Sequence, residues 1–368
     1  MHLALLISSL AAGGAERVLS TLANSWARRG HRVSVVTDAA VSADHYALAP
    51  AVRRIALDQM AESMTILQKV ARNASRVYHL RAALARLSPD AVVSFGDTMN
   101  IRALLATRGL GIPTLIAERT DPRHCPLPAP WRLLRRLTYP AASGLIVQTE
   151  SVAAWARGIV RADRVRKIPN PVRPRPGSRP RPDLLGSRRT LAAVGRLGPE
   201  KGFDLLLRAF ASARPSPEHW QLLILGEGPE RPSLTATIDA LGLRGCVLMP
   251  GVVPEPQDWL VHADIFALSS RFEGFPNALL EAMNCGLPAV AFDCPSGPGE
   301  ILRHEQTGLL VPPLDVESLA VAMRRLANDV ELRHRLGRAA ASDVTARFSL
   351  DHVLELWDEA LSACAARR

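Results

Sequence analysis

The sequence predicts an α/β protein built of two doubly wound, parallel-sheet domains in tandem. Three observations predict it. Short apolar runs alternate with amphipathic stretches through both halves of the chain, a segment rich in proline and arginine separates the two series, and 368 residues suit two domains of ordinary size.

In the first series, residues 3–7, 32–37, 91–94, 114–117 and 144–148 read as buried strands, and residues 15–29, 75–87 and 101–107 as helices. The opening stretch resembles a signal peptide only superficially. It lacks a basic leading region and its apolar run is short, so a buried first strand entering a glycine turn is the better reading. Residues 169–182 hold six prolines. Proline has no backbone donor and restricts the residue before it, so this stretch is a linker. The second series has strands at 191–194, 221–225, 246–248, 265–268 and 289–292, and helices at 204–213, 231–241, 277–284 and 316–328, with a final helix at 350–366. The expected boundaries are an N-terminal domain over 1–170, a linker over 171–187, a C-terminal domain over 188–348 and a C-terminal helix over 349–368 that packs back on the first domain. Two such domains leave a cleft, and ligands of such sheets bind beyond the carboxyl ends of the strands.

Composition narrows the function classes. Apolar residues make up 48% of the chain, enough for packed cores. No stretch approaches the ~18 consecutive apolar residues that span a bilayer. Cys125, Cys246, Cys285, Cys294 and Cys364 are odd in number and scattered, with no metal-ligand spacing, which favours a reducing cytoplasm. Residues 1–180 carry 26 Lys and Arg against 11 Asp and Glu, whereas residues 181–368 carry 19 against 24. That asymmetry suggests different partners for the two halves, an anionic membrane or a phosphorylated acceptor among those open to the basic one. An arginine-rich surface without a partner is the plainer alternative, since 42 of the 45 basic residues are arginine. Aromatics are only 5%, and no nucleic-acid-binding module is visible.

Four strand-to-helix loops carry candidate chemistry. The first, Gly13-Gly14-Ala15-Glu16-Arg17, lets backbone amides approach an anion at a helix N-terminus, although a plain tight turn fits it as well. In the second, Gly195-Arg196-Leu197-Gly198-Pro199-Glu200-Lys201-Gly202, two cations flank a turn and suit a pyrophosphate whose charge grows as it leaves. Lys201 is one of three lysines, a compact charge in a chain that otherwise uses arginine. The third, residues 270–286, sets Glu273 in a glycine-flanked loop and Glu281 about one turn into a helix that Pro276 opens. Its amides from Gly274 through Phe275 and Asn277 to Ala278 offer an anion nest, and its two carboxylates offer acceptors for sugar or ribose hydroxyls. The fourth, Asp293-Cys294-Pro295-Ser296-Gly297-Pro298-Gly299-Glu300, puts Glu300 in a first helical turn, where it serves either a ligand or simply the helix. There is no DxD and no carboxylate or histidine cluster, so no metal site is expected, and Arg196 and Lys201 would neutralise the charge a divalent ion otherwise takes.

Taken in order, Gly13-Gly14-Ala15-Glu16-Arg17, Gly195-Arg196…Lys201-Gly202, Gly226-Glu227-Gly228-Pro229 and Glu273-Gly274-Phe275-Pro276…Glu281 resemble the retaining glycosyltransferases of the GT-B fold, family 4 or group 1, over nearly the whole chain. The resemblance implies two Rossmann-like domains and a nucleotide-sugar donor with no other cofactor. It implies that Arg196 and Lys201 bind the donor diphosphate, Glu281 the ribose, and Glu273 with the amides after it the donor sugar. Gly14 would lie near the diphosphate and acceptor, and Val252 beside the base. Many members carry a histidine after the fifth strand; here that region reads Ala117-Glu118-Arg119-Thr120-Asp121-Pro122, so Arg119 or Asp121 stands in its place. With the fourth loop, this is similar to the subgroup that assembles bacterial surface polysaccharides on a lipid diphosphate carrier, which implies a UDP-hexose or UDP-N-acetylhexosamine donor. A sugar-nucleotide 2-epimerase of the same fold is the alternative, and a nucleic-acid binder a weaker one. Finally, Trp131-Arg132-Leu133-Leu134-Arg135-Arg136-Leu137-Thr138-Tyr139 reads as a basic amphipathic helix suited to the cytoplasmic face of the inner membrane, or as one that packs its leucines on its own domain.

Overall fold

The computed structural model describes residues 1–59, 65–175, 177–213 and 219–365. The chain divides into two compact units, Met1–Asn170 with the residues from Val353 onward, and Pro171–His352.

Unit 1 runs β1 (His2–Ile7), α1 (Gly14–Arg28), β2 (Arg32–Thr37), β3 (Val52–Ala56), α2 (Ile66–Leu87), β4 (Ala91–Phe95), α3 (Asp97–Thr107), β5 (Thr114–Ala117), α4 (Ala129–Thr138), β6 (Gly144–Val147), α5 (Glu150–Arg157) and β7 (Val165–Lys167). Its seven-stranded parallel sheet has the order β3-β2-β1-β4-β5-β6-β7. Every residue of β1 is buried, as a central strand with helices on both faces requires. The sequence signal at the extreme N-terminus was therefore that of a core strand.

Unit 2 runs β8 (Arg189–Val194), α6 (Phe203–Ala213), β9 (Trp220–Leu225), α7 (Arg231–Ala240), β10 (Val247–Gly251), α8 (Pro256–Leu260), β11 (Ile265–Leu268), α9 (Asn277–Asn284), β12 (Ala289–Phe292), α10 (Pro298–Ile301), β13 (Gly308–Val311), α11 (Val316–Asn328) and α12 (Val330–Phe348). The order of its six-stranded parallel sheet is β10-β9-β8-β11-β12-β13. Alternate residues of β8 feed different cores: Leu191 and Ala193 pack with α6 and α11 residues, Ala192 with α9 and α12 residues.

The last helix, α13 (Leu350–Ala365), places Trp357 edge-on to Trp26 at 6.0 Å and stacked on Phe95 at 5.8 Å, and its Asp358 accepts from Trp26 Nε1 at 2.9 Å. Ala366, with which the sequence reading ended this helix, lies outside the described residues. The proline-rich stretch is irregular but held: Val172 N donates to Phe348 O, and Asp183–Leu185 form a short helical turn that buries Leu185.

The elements missed in the sequence are β3, β7, β13 and α12, with the short helices α5 and α8. The three strands lie at sheet edges, where one neighbour suffices and charge is tolerated; Arg53 and Arg54 sit in β3, and Arg166 and Lys167 in β7. Charged residues interrupt the apolar pattern of α12, and Gly337 breaks it again.

Candidate functional site

In each sheet the strand order reverses beside the first strand, β1 next to β4 and β8 next to β11. Such switch points open a crevice at the carboxyl ends of the strands. The first glycine loop leaves β1 and the second leaves β8, so the sequence candidates stand at these points.

In unit 2 the loop after β8 is held by glycines that cannot be replaced without displacing backbone. Gly226 has φ +142°, and a Cβ there would stand 1.9 Å from the Gly195 carbonyl oxygen. A Cβ on Gly228 would stand 2.4 Å from Leu197 O. These close approaches pin the turn after β9 onto Gly195-Arg196-Leu197, with Leu197 N donating to Glu227 O at 2.9 Å.

The loop after β11 is fastened to the same turn. Ser269 Oγ donates to Lys201 O at 3.0 Å, Arg271 N to Glu200 O at 2.8 Å, and the Arg271 guanidinium grips Asp204 at 2.8 and 2.9 Å. The Arg271 hydrogen bond holds the Asp204 carboxyl below its ordinary value. Lys201 Nζ then meets Glu273 Oε1 at 2.7 Å, and Ser270 Oγ donates to the same oxygen at 2.6 Å. Glu273 is 7% exposed. Its Oε2 makes no hydrogen bond among the described residues. Arg271 and Asp204 were not singled out in the sequence. A bidentate arginine bridging a loop and a helix start has no spacing signature.

The structure brings Lys201, Ser270 and Glu273 together directly. Arg196 is exposed on the same turn, its side chain without a hydrogen bond or ion pair among the described residues. Gly274, Phe275 and Pro276 lead into α9, and one detail corrects the sequence reading: Pro276 precedes the helix as its cap residue, and Asn277 and Ala278 open the first turn. Glu281 lies on α9 and is buried. The loop after β12 packs on this segment, Glu273 N donating to Pro295 O at 3.3 Å, and Gly297 (φ +128°) leaves room for Pro276. Val252 is 73% exposed just beyond β10. Among the described residues, no three His, Cys, Asp or Glu side chains group to hold a metal.

In unit 1, Gly13 caps α1 and Gly14 begins it, with Glu16 folded back so that a Cβ on Gly13 would strike its carboxylate. Asp121 is buried, and its carboxylate is occupied by Arg123, whose Nε reaches it at 3.0 Å. Arg119 lies over the Phe95 ring at 4.7 Å and donates to Asn170, while its Nε is buried without a partner.

A buried polar cluster beside Arg119 was invisible in the sequence. Glu118 accepts from Tyr139 OH at 2.5 Å and lies 3.4 Å from Arg135, while Asn100 Nδ2 donates to Ala117 O at 3.0 Å and to Tyr139 OH at 3.3 Å. Burial pushes the Glu118 carboxyl up to about 7, opposed by Arg135 and the Tyr139 hydroxyl. The helix read as amphipathic thus turns Arg135 inward. Leu133 (60% exposed) and Leu137 (68% exposed) point outward with Arg132 and Arg136, so two of the three leucines do not pack on their own domain as the alternative reading of this helix had them. Among the described residues, no helix is long and apolar enough to cross a membrane.

Comparison with known proteins identifies the family. Residues 12–175 match the model for Glycosyltransferase Family 4, and residues 176–343 the model for Glycosyl transferases group 1. An alpha-1,4-N-acetyl-D-galactosaminyltransferase of Campylobacter jejuni, named for a PP-undecaprenol-linked acceptor, is 29% identical over 359 residues, 97% of each chain. The lipopolysaccharide core biosynthesis glycosyltransferase of Rhizobium meliloti is 31% identical over 262 residues, 67% of this chain and 74% of that one. An exopolysaccharide phosphotransferase of Streptomyces coelicolor is 39% identical over 235 residues, but these span 24% of its length. Among solved structures, the sucrose-phosphate synthase of Thermosynechococcus elongatus superposes with a TM-score of 0.87 at 20% identity over the whole of both chains. Anabaena HepE in complex with UDP and glucose does so with a TM-score of 0.81 at 20% identity, over 99% of this chain and 100% of that one. Both structures share the two Rossmann-like folds of the GT-B class. The chain belongs to the group 1, family 4 glycosyltransferases.

Proposed function

We propose that this glycosyltransferase moves a hexose or N-acetylhexosamine from a UDP-sugar to a lipid-diphosphate-linked glycan in cell-surface polysaccharide assembly, with retention of configuration and without a metal. The observation that carries the proposal is the convergence of Lys201, Ser270 and Glu273 at the carboxyl edge of the second sheet, on segments braced by the Arg271–Asp204 pair. The PP-undecaprenol acceptor in the Campylobacter enzyme's name and the UDP and glucose held by HepE support the choice of substrates.

In this reading Arg196 and Lys201 take the donor diphosphate, Lys201 turning its ammonium from Glu273 to the phosphate oxygens. Glu281 receives the ribose hydroxyls, Val252 lies beside the base, and Glu273 with the amides of the following turn holds the sugar. The bond from the anomeric carbon to the diphosphate oxygen breaks as the acceptor hydroxyl attacks from the same face. The hydroxyl proton passes to the departing phosphate oxygen, and the cations neutralise the charge that develops there. Unit 1 supplies the acceptor side through Gly14, Glu16 and Arg119. Arg119 is preferred to Asp121, whose carboxylate is already engaged by Arg123. The exposed Leu133 and Leu137 between Arg132 and Arg136 dock the enzyme on the inner membrane's cytoplasmic face.

The test is transfer from a panel of UDP-sugars to a synthetic polyprenyl-diphosphate sugar, with excess EDTA, the product's anomeric configuration being read by NMR. A product of inverted configuration, or activity that EDTA abolishes, refutes the corresponding part. A glycosyl adduct on Glu273 in the intact-mass spectrum refutes the same-face step. UDP-sugar turnover without any acceptor would instead mark an epimerase.

A further inference from the structure

At the opposite end of the second sheet from Lys201 and Glu273, before β11 and β12 begin, lies a cavity of about 580 Å³. Its wall carries Arg175, Arg333, His334 and Arg338, against the single acid Asp264. Glycine makes this crowding possible. Gly337 lets α12 lie so close to the turn after α9 that a Cβ there would stand 2.2 Å from Gly286 O. His334 and Arg338, one turn apart on α12, line the cavity beside that turn, and Arg175 Nη1 lies 3.7 Å from where a Gly286 Cβ would be.

The side chains of Arg175, His334 and Arg338 make no hydrogen bond or ion pair among the described residues, so two of the guanidinium charges have no direct counter-ion there. Arg333 is 6% exposed and stacks on Trp220; its Nη1 donates to Leu326 O and Ala327 O, and its other guanidinium nitrogens donate to nothing described. Asp264 is already tied to Thr190 N at 2.8 Å. Like charges gathered around a concave wall raise the local anion concentration, and arginine's planar fork matches phosphate oxygens two at a time. The volume is that of an ordinary small-molecule site, of roughly 300–1,000 Å³.

We infer that this cavity is a second anion site, which takes a small phosphate-bearing molecule and is separate from the donor site. Isothermal titration of the full chain with inorganic pyrophosphate at low salt, under saturating UDP, tests it. The expected result is saturable binding that UDP leaves in place. It weakens at least tenfold in Arg175→Ala/Arg338→Ala and in the single charge reversal Arg338→Glu. It is unchanged in Arg208→Ala/Arg324→Ala, which removes the same charge from exposed positions elsewhere in the unit. Absence of saturable binding, displacement by UDP, or equal weakening in both double variants overturns the inference. Should UDP itself fail to bind, the contrast between the two double variants still decides the matter, so the donor reading and this one fail separately.

Discussion

Replacing Lys201 by methionine removes a charge and keeps most of the side chain's volume against Gly195. The charge lost is the one facing Glu273 at 2.7 Å, and Glu273, 7% exposed, keeps only the Ser270 hydroxyl. Breaking a fully buried pair by removing one partner costs about 3–5 kcal/mol. The Lys201 side chain is 23% exposed, so water recovers part of that, and about 2 kcal/mol remains. For a domain of this size, that lowers the melting midpoint by about 4–8 °C. The double variant Lys201→Met/Glu273→Gln removes the stranded carboxylate along with its partner and keeps the Ser270 contact, so it should return to within about 1 kcal/mol of the parent. Activity should not follow stability. A ligand at ~100 times its dissociation constant adds about 2.7 kcal/mol, so saturating UDP should raise the parent's midpoint clearly and leave both variants almost unmoved. Thermal melts of the parent and both variants with and without UDP, beside turnover with a UDP-sugar, read out each of these outcomes. A Lys201→Met protein that melts with the parent refutes the stability argument. A double variant that regains the UDP shift refutes the assignment of Lys201 to the diphosphate.

Gly226→Ala combines a φ of +142° with a Cβ 1.9 Å from a backbone oxygen, so it should cost at least about 2 kcal/mol and weaken UDP binding; a soluble variant with parental melting and affinity would show that the turn shifts freely. Glu118, raised by burial from 4.5 to about 7, binds its proton more readily folded than unfolded, so the protein should lose stability as pH rises between these values, by at most roughly 3 kcal/mol. Glu118→Gln should remove that slope in melts from pH 4.5 to 7.5, and an identical slope in both proteins contradicts the reading. Leu133→Glu/Leu137→Glu changes two exposed side chains, so its melting should match the parent within about 1 kcal/mol while sedimentation with anionic vesicles falls several-fold; undiminished sedimentation rules α4 out as the docking surface.

How far the sequence was legible depended on whether a feature is local. The central strands announce themselves because a strand buried on both faces is continuously apolar, and β2, β5, β11 and β12 fall where the pattern puts them. The edge strand β3, with two arginines in five residues, gives no such signal. The same division runs through the site. Glycine loops, and glutamates eight positions apart, are sequence patterns. The Arg271–Asp204 bridge joins residues 67 positions apart, and the Glu118–Tyr139–Arg135 cluster joins a strand end to a helix, so only the fold defines either.

That division also says where the two units differ. In unit 2 the segments that carry Lys201 and Glu273 are closely braced: glycines leave no room for a Cβ, and a bidentate arginine ties the loop after β11 to the first turn of α6. Such bracing suits the proposed donor site, which would hold a leaving diphosphate in one geometry. Around Glu118 and Arg119 the polar atoms are buried but incompletely paired. Glu118 Oε2, Asn100 Oδ1, Arg119 Nε and Arg135 Nε are all without partners. Unpaired buried groups of this kind cost about 1–3 kcal/mol each, and that cost falls if an acceptor or ordered water completes the network. Unit 1 is therefore the place to look for ordering by the second substrate. Its polar cluster should gain protection in amide hydrogen exchange when a lipid-diphosphate acceptor binds, while the turn at Gly195–Leu197, already braced, should change little.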